Sequence, residues 1–149
     1  MSVIFKCMEN YDKKIRSLYQ QFKGNNLSLL DHFYAANVRF RDPIESLTGL
    51  EDLKRYYAKA YEHVKTIEFE FSNIFNQGLE YSASWRMDLT VDGLNSGKPY
   101  QVYGTSVLRF NGQGLIEEHR DYLDLGEMVY ERIPIQGYVI SKIKQRLRM

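Results

Sequence analysis

From residue 81 to residue 91 the chain alternates without a break: Tyr81, Ala83, Trp85, Met87, Leu89 and Val91 take every second place, and Ser82, Ser84, Arg86, Asp88 and Thr90 fill the places between. Successive side chains of a strand point to opposite faces, so this pattern demands a strand with one apolar and one polar face. A half-buried strand needs partners, and the flanking sequence supplies them. Ile67, Phe69 and Phe71 alternate with Glu68, Glu70 and Ser72 ahead of a turn at Asn76-Gln77-Gly78. Two further strands, residues 100 to 110 and 115 to 124, follow the turn signals Asp92-Gly93 through Gly97-Lys98-Pro99 and Asn111-Gly112-Gln113-Gly114. The second half of the chain is therefore expected to be a four-stranded antiparallel meander.

The first half has the other period. Met8, Tyr11, Ile15, Leu18, Tyr19 and Phe22 recur at three- and four-residue steps and predict a helix over 8–23, ended by Gly24. A short helix over 27–36 follows, with Leu29, Leu30, Phe33 and Tyr34 on one side. A strand over 38–42 stops at Pro43, which cannot donate a ladder hydrogen bond. Thr48-Gly49-Leu50-Glu51 has the form of a capping box and opens a third helix to about residue 64, its apolar stripe running through Leu50, Leu53, Tyr57, Ala60, Tyr61 and Val64. After the sheet, a short helix over 126–132 closes at Pro134, and a terminal helix covers 137–149. With no repeat or linker, residues 1–149 read as one α+β domain: a curved, mostly antiparallel sheet wrapped around helices, with a small-molecule pocket between the layers.

Composition excludes several functions. Lys plus Arg number 20 against 19 Asp plus Glu, a net charge of +1, so no overall field favours nucleic acid. The one cysteine, Cys7, rules out an internal disulfide framework and a Cys-based zinc site, and is expected to be an inert thiol. The N-terminus has only a three-residue apolar run before Lys6, too short for a signal-peptide core, and a cytoplasmic location is expected. No His and carboxylate spacing suits a metal and no Gly-rich phosphate loop occurs, so no cofactor is expected. Twelve Tyr and eight Phe suit a pocket wall. The C-terminal stretch sets Val139, Ile140, Ile143 and Leu147 against Lys142, Lys144, Arg146 and Arg148. Such a helix can lie on an anionic membrane surface, but at about three turns it is expected to pack on its own domain.

The element order, together with FYAANVRFRDP, a glycine seven residues after Asp42 and VLRFNGQGLIEEHRDYLD, resembles the nuclear transport factor 2-like superfamily and, within it, SnoaL-like domains. The segment HRDYLDLGEMVYERIPIQG resembles the last strand and exit of limonene epoxide hydrolase. The resemblance implies a cone-shaped, cystatin-like α+β barrel. It constrains function weakly, because the superfamily includes isomerases, cyclases, epoxide hydrolases, dehydratases, binding modules and assembly domains.

Each relative suggests a set of residues. Resemblance to the ketosteroid isomerases makes Asp42, just before Pro43, the general base, with Tyr19 near their oxyanion-hole tyrosine and Tyr57 in support; their second donor, an Asp, is replaced here by Ser106. The plainer reading of Asp42 is a strand end and turn cap. Resemblance to limonene epoxide hydrolase points to Asp121, with Arg86 and Asp88 as the Arg-x-Asp step of an Asp-Arg-Asp arrangement. The plainer reading of Arg86 and Asp88 is a solvated strand face. SnoaL-like cyclases use an Asp and a His of this region, which adds His119, two residues before Asp121 and on the same strand face. Phe40, Tyr57, Ser84, Ser106, Leu108 and Leu123 complete the expected pocket. If Arg86 and Asp88 face inward, the Trp85 stripe lies outside and argues for a homodimer through the sheets; with the facing reversed, the stripe is the pocket wall. The first reading is thus a domain acting on a small, mostly apolar molecule by cofactor-free acid/base chemistry, and the alternative is a non-catalytic ligand-binding or protein-interaction domain.

Overall fold

In the computed structural model residues 10–149 are described; Cys7 and Met8 lie outside the described residues. The alternating segments do form the long strands: β3 (Val64–Gln77), β4 (Glu80–Val91), β5 (Tyr100–Phe110) and β6 (Ile116–Leu123) make the expected meander. Two shorter strands, β1 (Tyr34–Arg41) and β2 (Ser46–Thr48), extend it to a six-stranded curved sheet of order β2-β1-β6-β5-β4-β3. Every pairing is antiparallel except β1 with β6. Helices α1 (Asp12–Gln21) and α2 (Leu50–Ala60) lie inside the curl.

Bulges keep the apolar residues on the inner face. A register shift between Phe71 and Asn73 changes the parity of β3, so that Ile67, Phe69 and Phe71 are followed inward by Ile74 rather than Asn73. A second shift in the β5–β6 pairing lets Ile116 and then His119, Asp121 and Leu123 face the same side, while Glu118 points out to Arg39.

Several local expectations are corrected. Tyr34 to Ala36 begin β1 rather than ending a helix, because the chain makes only a 3-10 turn over Leu27–His32 before Tyr34 pairs with Ile116. The capping box does not form. Thr48 is held in β2 opposite Arg39, and the helix starts from Gly49 at φ 105°, a conformation glycine adopts without strain. Helix α2 ends at Ala60, so Val64 opens β3. After the one-turn α3 (Leu125–Met128), Pro134 opens the terminal helix α4 (Pro134–Leu147) rather than closing the preceding one, as its fixed φ favours at a first helical position. That helix buries no residue and rests chiefly on the 3-10 turn Tyr130–Arg132, with Lys144 paired to Glu131. No helix among the described residues is long and apolar enough to cross a membrane.

Candidate active site

The curl of the sheet leaves a cavity of about 270 Å³ between α1, α2 and the inner faces of β3 to β6. Its wall is mostly apolar and aromatic, and Asp42, His119 and Asp121 all reach it. The turn after β1 and the segment from Leu125 to Val129 also contribute to the lining.

Asp121 stands at the centre of a hydrogen-bond network. Its Oδ1 accepts from Ser106 Oγ at 2.5 Å and from His119 Nε2 at 2.7 Å. Ser106 is fully buried and also accepts from Trp85 Nε1 at 2.9 Å. A serine has one proton to give, and here it goes to Asp121, so Tyr19, whose hydroxyl lies 2.5 Å from Ser106 Oγ, is the donor in that pair. The same counting orients His119. With Nε2–H donated to the carboxylate, Nδ1 accepts from the Tyr34 hydroxyl at 2.8 Å. Asp121 Oδ2 takes no hydrogen bond from any described residue, and the side chain is 17% exposed at the cavity. Burial, then the charge on Asp121, pushes Tyr19, Tyr34 and Tyr61 well above the usual phenol range, so these hydroxyls stay protonated.

Asp42, in the turn after β1, has a different environment. Its Oδ1 accepts from the backbone N–H of Ile44 and of Glu45, both at 2.8 Å, and its Oδ2 accepts from Tyr56 at 2.5 Å. Both oxygens are engaged, and the side chain holds the turn at Pro43 closed as well as lining the cavity. Burial and then the Asp42 hydrogen bond raise the Tyr56 hydroxyl, which stays a donor.

A sequence profile for the SnoaL-like domain matches residues 15–119. This chain belongs to the SnoaL-like domain family. No curated protein matches it. Its fold is shared with a ketosteroid isomerase-like protein from Catenulispora acidiphila DSM 44928, solved in complex with trimethylamine (18% identity, TM-score 0.71, 83% of this chain and 93% of that one). It is shared also with a protein assigned as a SnoaL-like polyketide cyclase from Jannaschia sp. CCS1 (16%, 0.67, 76% and 84%). A third similar structure is an LEH-like epoxide hydrolase of M. tuberculosis (14%, 0.63, 78% and 84%).

Within this SnoaL-like domain the apolar face of β4, and not its Arg-x-Asp face, is the inner one. Tyr81, Ala83, Trp85, Met87 and Leu89 are buried, and the last three of these line the cavity. Arg86, Asp88 and Ser84 therefore lie on the outer face and do not reach the site. Arg86 binds Asp88 at 3.0 Å and Glu70 at 2.6 Å, while Ser84 bonds Thr105 across the strands. The Asp-Arg-Asp arrangement does not assemble. The apolar stripe that argued for a homodimer is inside the SnoaL-like domain, so that argument falls. Of the expected pocket residues, Tyr57 and Leu123 line the cavity, Ser106 lies behind it bonded to Asp121, and Phe40 and Leu108 are packed into the adjacent core.

Sequence reasoning missed Tyr34, Tyr56 and Trp85. Tyr34 was placed in a helix, and the facing of Trp85 was left open. A hydroxyl or indole N–H within an apolar row, each needing a buried partner, was the available signal.

Proposed function

We propose that this SnoaL-like domain binds a small, mostly apolar molecule in the cavity and moves a proton on it by cofactor-free acid/base chemistry, with Asp121 as the base. The observation that carries this reading is the asymmetry of one carboxylate: Oδ1 is fixed by Ser106 and His119, while Oδ2 is left without a protein partner at an apolar cavity. A base must be held still yet keep a lone pair for the substrate, and this geometry provides both. Proton uptake at Oδ2 leaves the Ser106 and His119 bonds in place. His119 is buried and bridges Asp121 to Tyr34, so it positions the carboxylate. Tyr19 acts through Ser106. Two of the similar structures bear the names of enzymes, a polyketide cyclase and an epoxide hydrolase, which supports chemistry in a pocket of this fold.

The alternative is a binding domain without chemistry, favoured by Asp42, whose oxygens are both spent on structure. Deuterium exchange separates the two. Small enolisable ketones incubated with the protein in D2O should gain deuterium next to the carbonyl, and Asp121→Asn should slow this by about 10²–10⁴-fold. Equal rates in protein and variant, or no exchange above buffer with any ketone, would remove the catalytic reading.

A further inference from the structure

The charges around the cavity are one-sided. Asp42 and Asp121 bring carboxylates to the lining, His119 lies beside them with its ring nitrogens bonded to Asp121 and Tyr34, and among the described residues no Lys, Arg or Glu lines it. Arg132, the cation stacked 4.6 Å from the centre of the Tyr100 ring, donates to the Glu127 carbonyl and is not on the lining. A neutral apolar guest would leave that negative potential uncompensated at low dielectric.

The rings are set to add to it. Tyr19 meets Phe69 at 4.9 Å and 81°, Phe69 meets Trp85 at 5.3 Å and 88°, and Tyr57 meets Tyr61 at 6.0 Å and 82°. Each ring meets the next edge to face, so the lining presents aromatic rings in several orientations around one concave space. Aromatic faces carry the negative end of the ring quadrupole, and several of them with a carboxylate form a receptor for an alkylated ammonium.

We infer that the ligand of this pocket carries a cationic ammonium group, its charge met by Asp121 and Asp42 and its alkyl groups by the faces of Tyr19, Tyr57, Tyr61 and Trp85. The tyrosines register the same field: the charge on Asp121 is among the causes that hold Tyr19, Tyr57 and Tyr61 protonated. This inference rests on the proposed function in using the same cavity, and it names the substrate class. A cation beside Asp121 suits proton abstraction, because it stabilises the negative charge that departure of the proton leaves on the neighbouring carbon.

Trp85 is the sole tryptophan and lines the cavity, so its emission reports occupancy. Choline and 3,3-dimethylbutan-1-ol share one heavy-atom shape and differ by a quaternary nitrogen in place of a carbon. Titrated against the full chain, choline should bind at least about tenfold more tightly than the alcohol. In Asp121→Asn, checked for folding by its melting curve, that preference should fall to within about threefold while the affinity for the alcohol holds. If the alcohol matches choline in the wild-type protein, the cationic ligand is overturned and the pocket reading survives. A preference for choline undiminished in both Asp121→Asn and Asp42→Asn overturns the assignment of the carboxylates. If neither compound changes the emission, the pocket reading falls together with the inference.

Discussion

Trp85 lies against Gly104, its cross-strand partner, so closely that a Cβ on the glycine would come within 2.3 Å of the indole ring. The bare glycine lets the indole settle where Nε1 reaches Ser106, two residues along β5, and Ser106 in turn holds Asp121. Gly104→Ala should therefore overpack the inner face. We expect a loss of about 1–3 kcal/mol in denaturant unfolding and a shift in Trp85 emission. Unchanged stability and emission would show that the sheet has room for the methyl group.

Asp42 should matter for stability before it matters for chemistry. Asp42→Ala removes the acceptor of two backbone N–H groups and of Tyr56, and we expect it to cost about 1–3 kcal/mol, with Asp42→Asn costing less because Oδ1 is retained. Thermal melts of the two variants beside the deuterium-exchange rate make the comparison. Full stability with abolished exchange would restore Asp42 as the base.

The cavity tyrosines set a limit at high pH. Tyr19, Tyr34, Tyr57 and Tyr61 are raised in the folded protein, chiefly by burial. A folded value above the unfolded one means that the native state holds its protons more tightly. The resulting stability is complete below the unfolded phenol value of about 10 and is lost as the pH climbs above it. The tyrosinate absorbance of the cavity rings should rise cooperatively, together with unfolding of the domain. A single smooth titration of all tyrosines near pH 10 would contradict the buried hydroxyls.

Arg86 and Asp88 supply the opposite control. Both lie on the outer face in an ion-pair cluster with Glu70. Arg86→Ala and Asp88→Ala should leave the Trp85 titrations and any exchange activity as they are. Loss of either would return the Arg-x-Asp step to the site.

Helix α4 buries nothing, so truncation after Ile133 should leave the unfolding midpoint of the remaining chain within a few °C of the full chain. A large drop would show that the helix covers apolar surface.

The strands and their turns were legible because alternation and turn chemistry are local signals. The resemblance to SnoaL-like domains was legible as well, and both fold and family hold. Asp121 and His119 were singled out by resemblance to relatives, and their two-residue spacing on one strand face is what lets them bond at 2.7 Å. What faced them was harder to find. Ser106 was first met as a missing aspartate, and only the folded sheet shows it joining Tyr19, Trp85 and Asp121.

Alternation along β4 by itself determined that this protein has a strand with one apolar and one polar face, and therefore a sheet with an inside. Which face became the inside was decided by the tertiary structure. A period of two is symmetric between the two faces of a strand, and only the placement of α1 and α2 within the curl buries Trp85, Met87 and Leu89 and turns Arg86 and Asp88 to water. The bulges had the same authority over β3 and β6. Each changes parity by one residue, a choice made by cross-strand pairing, and the shift near the start of β6 aims His119 and Asp121 into the cavity beside Ile116.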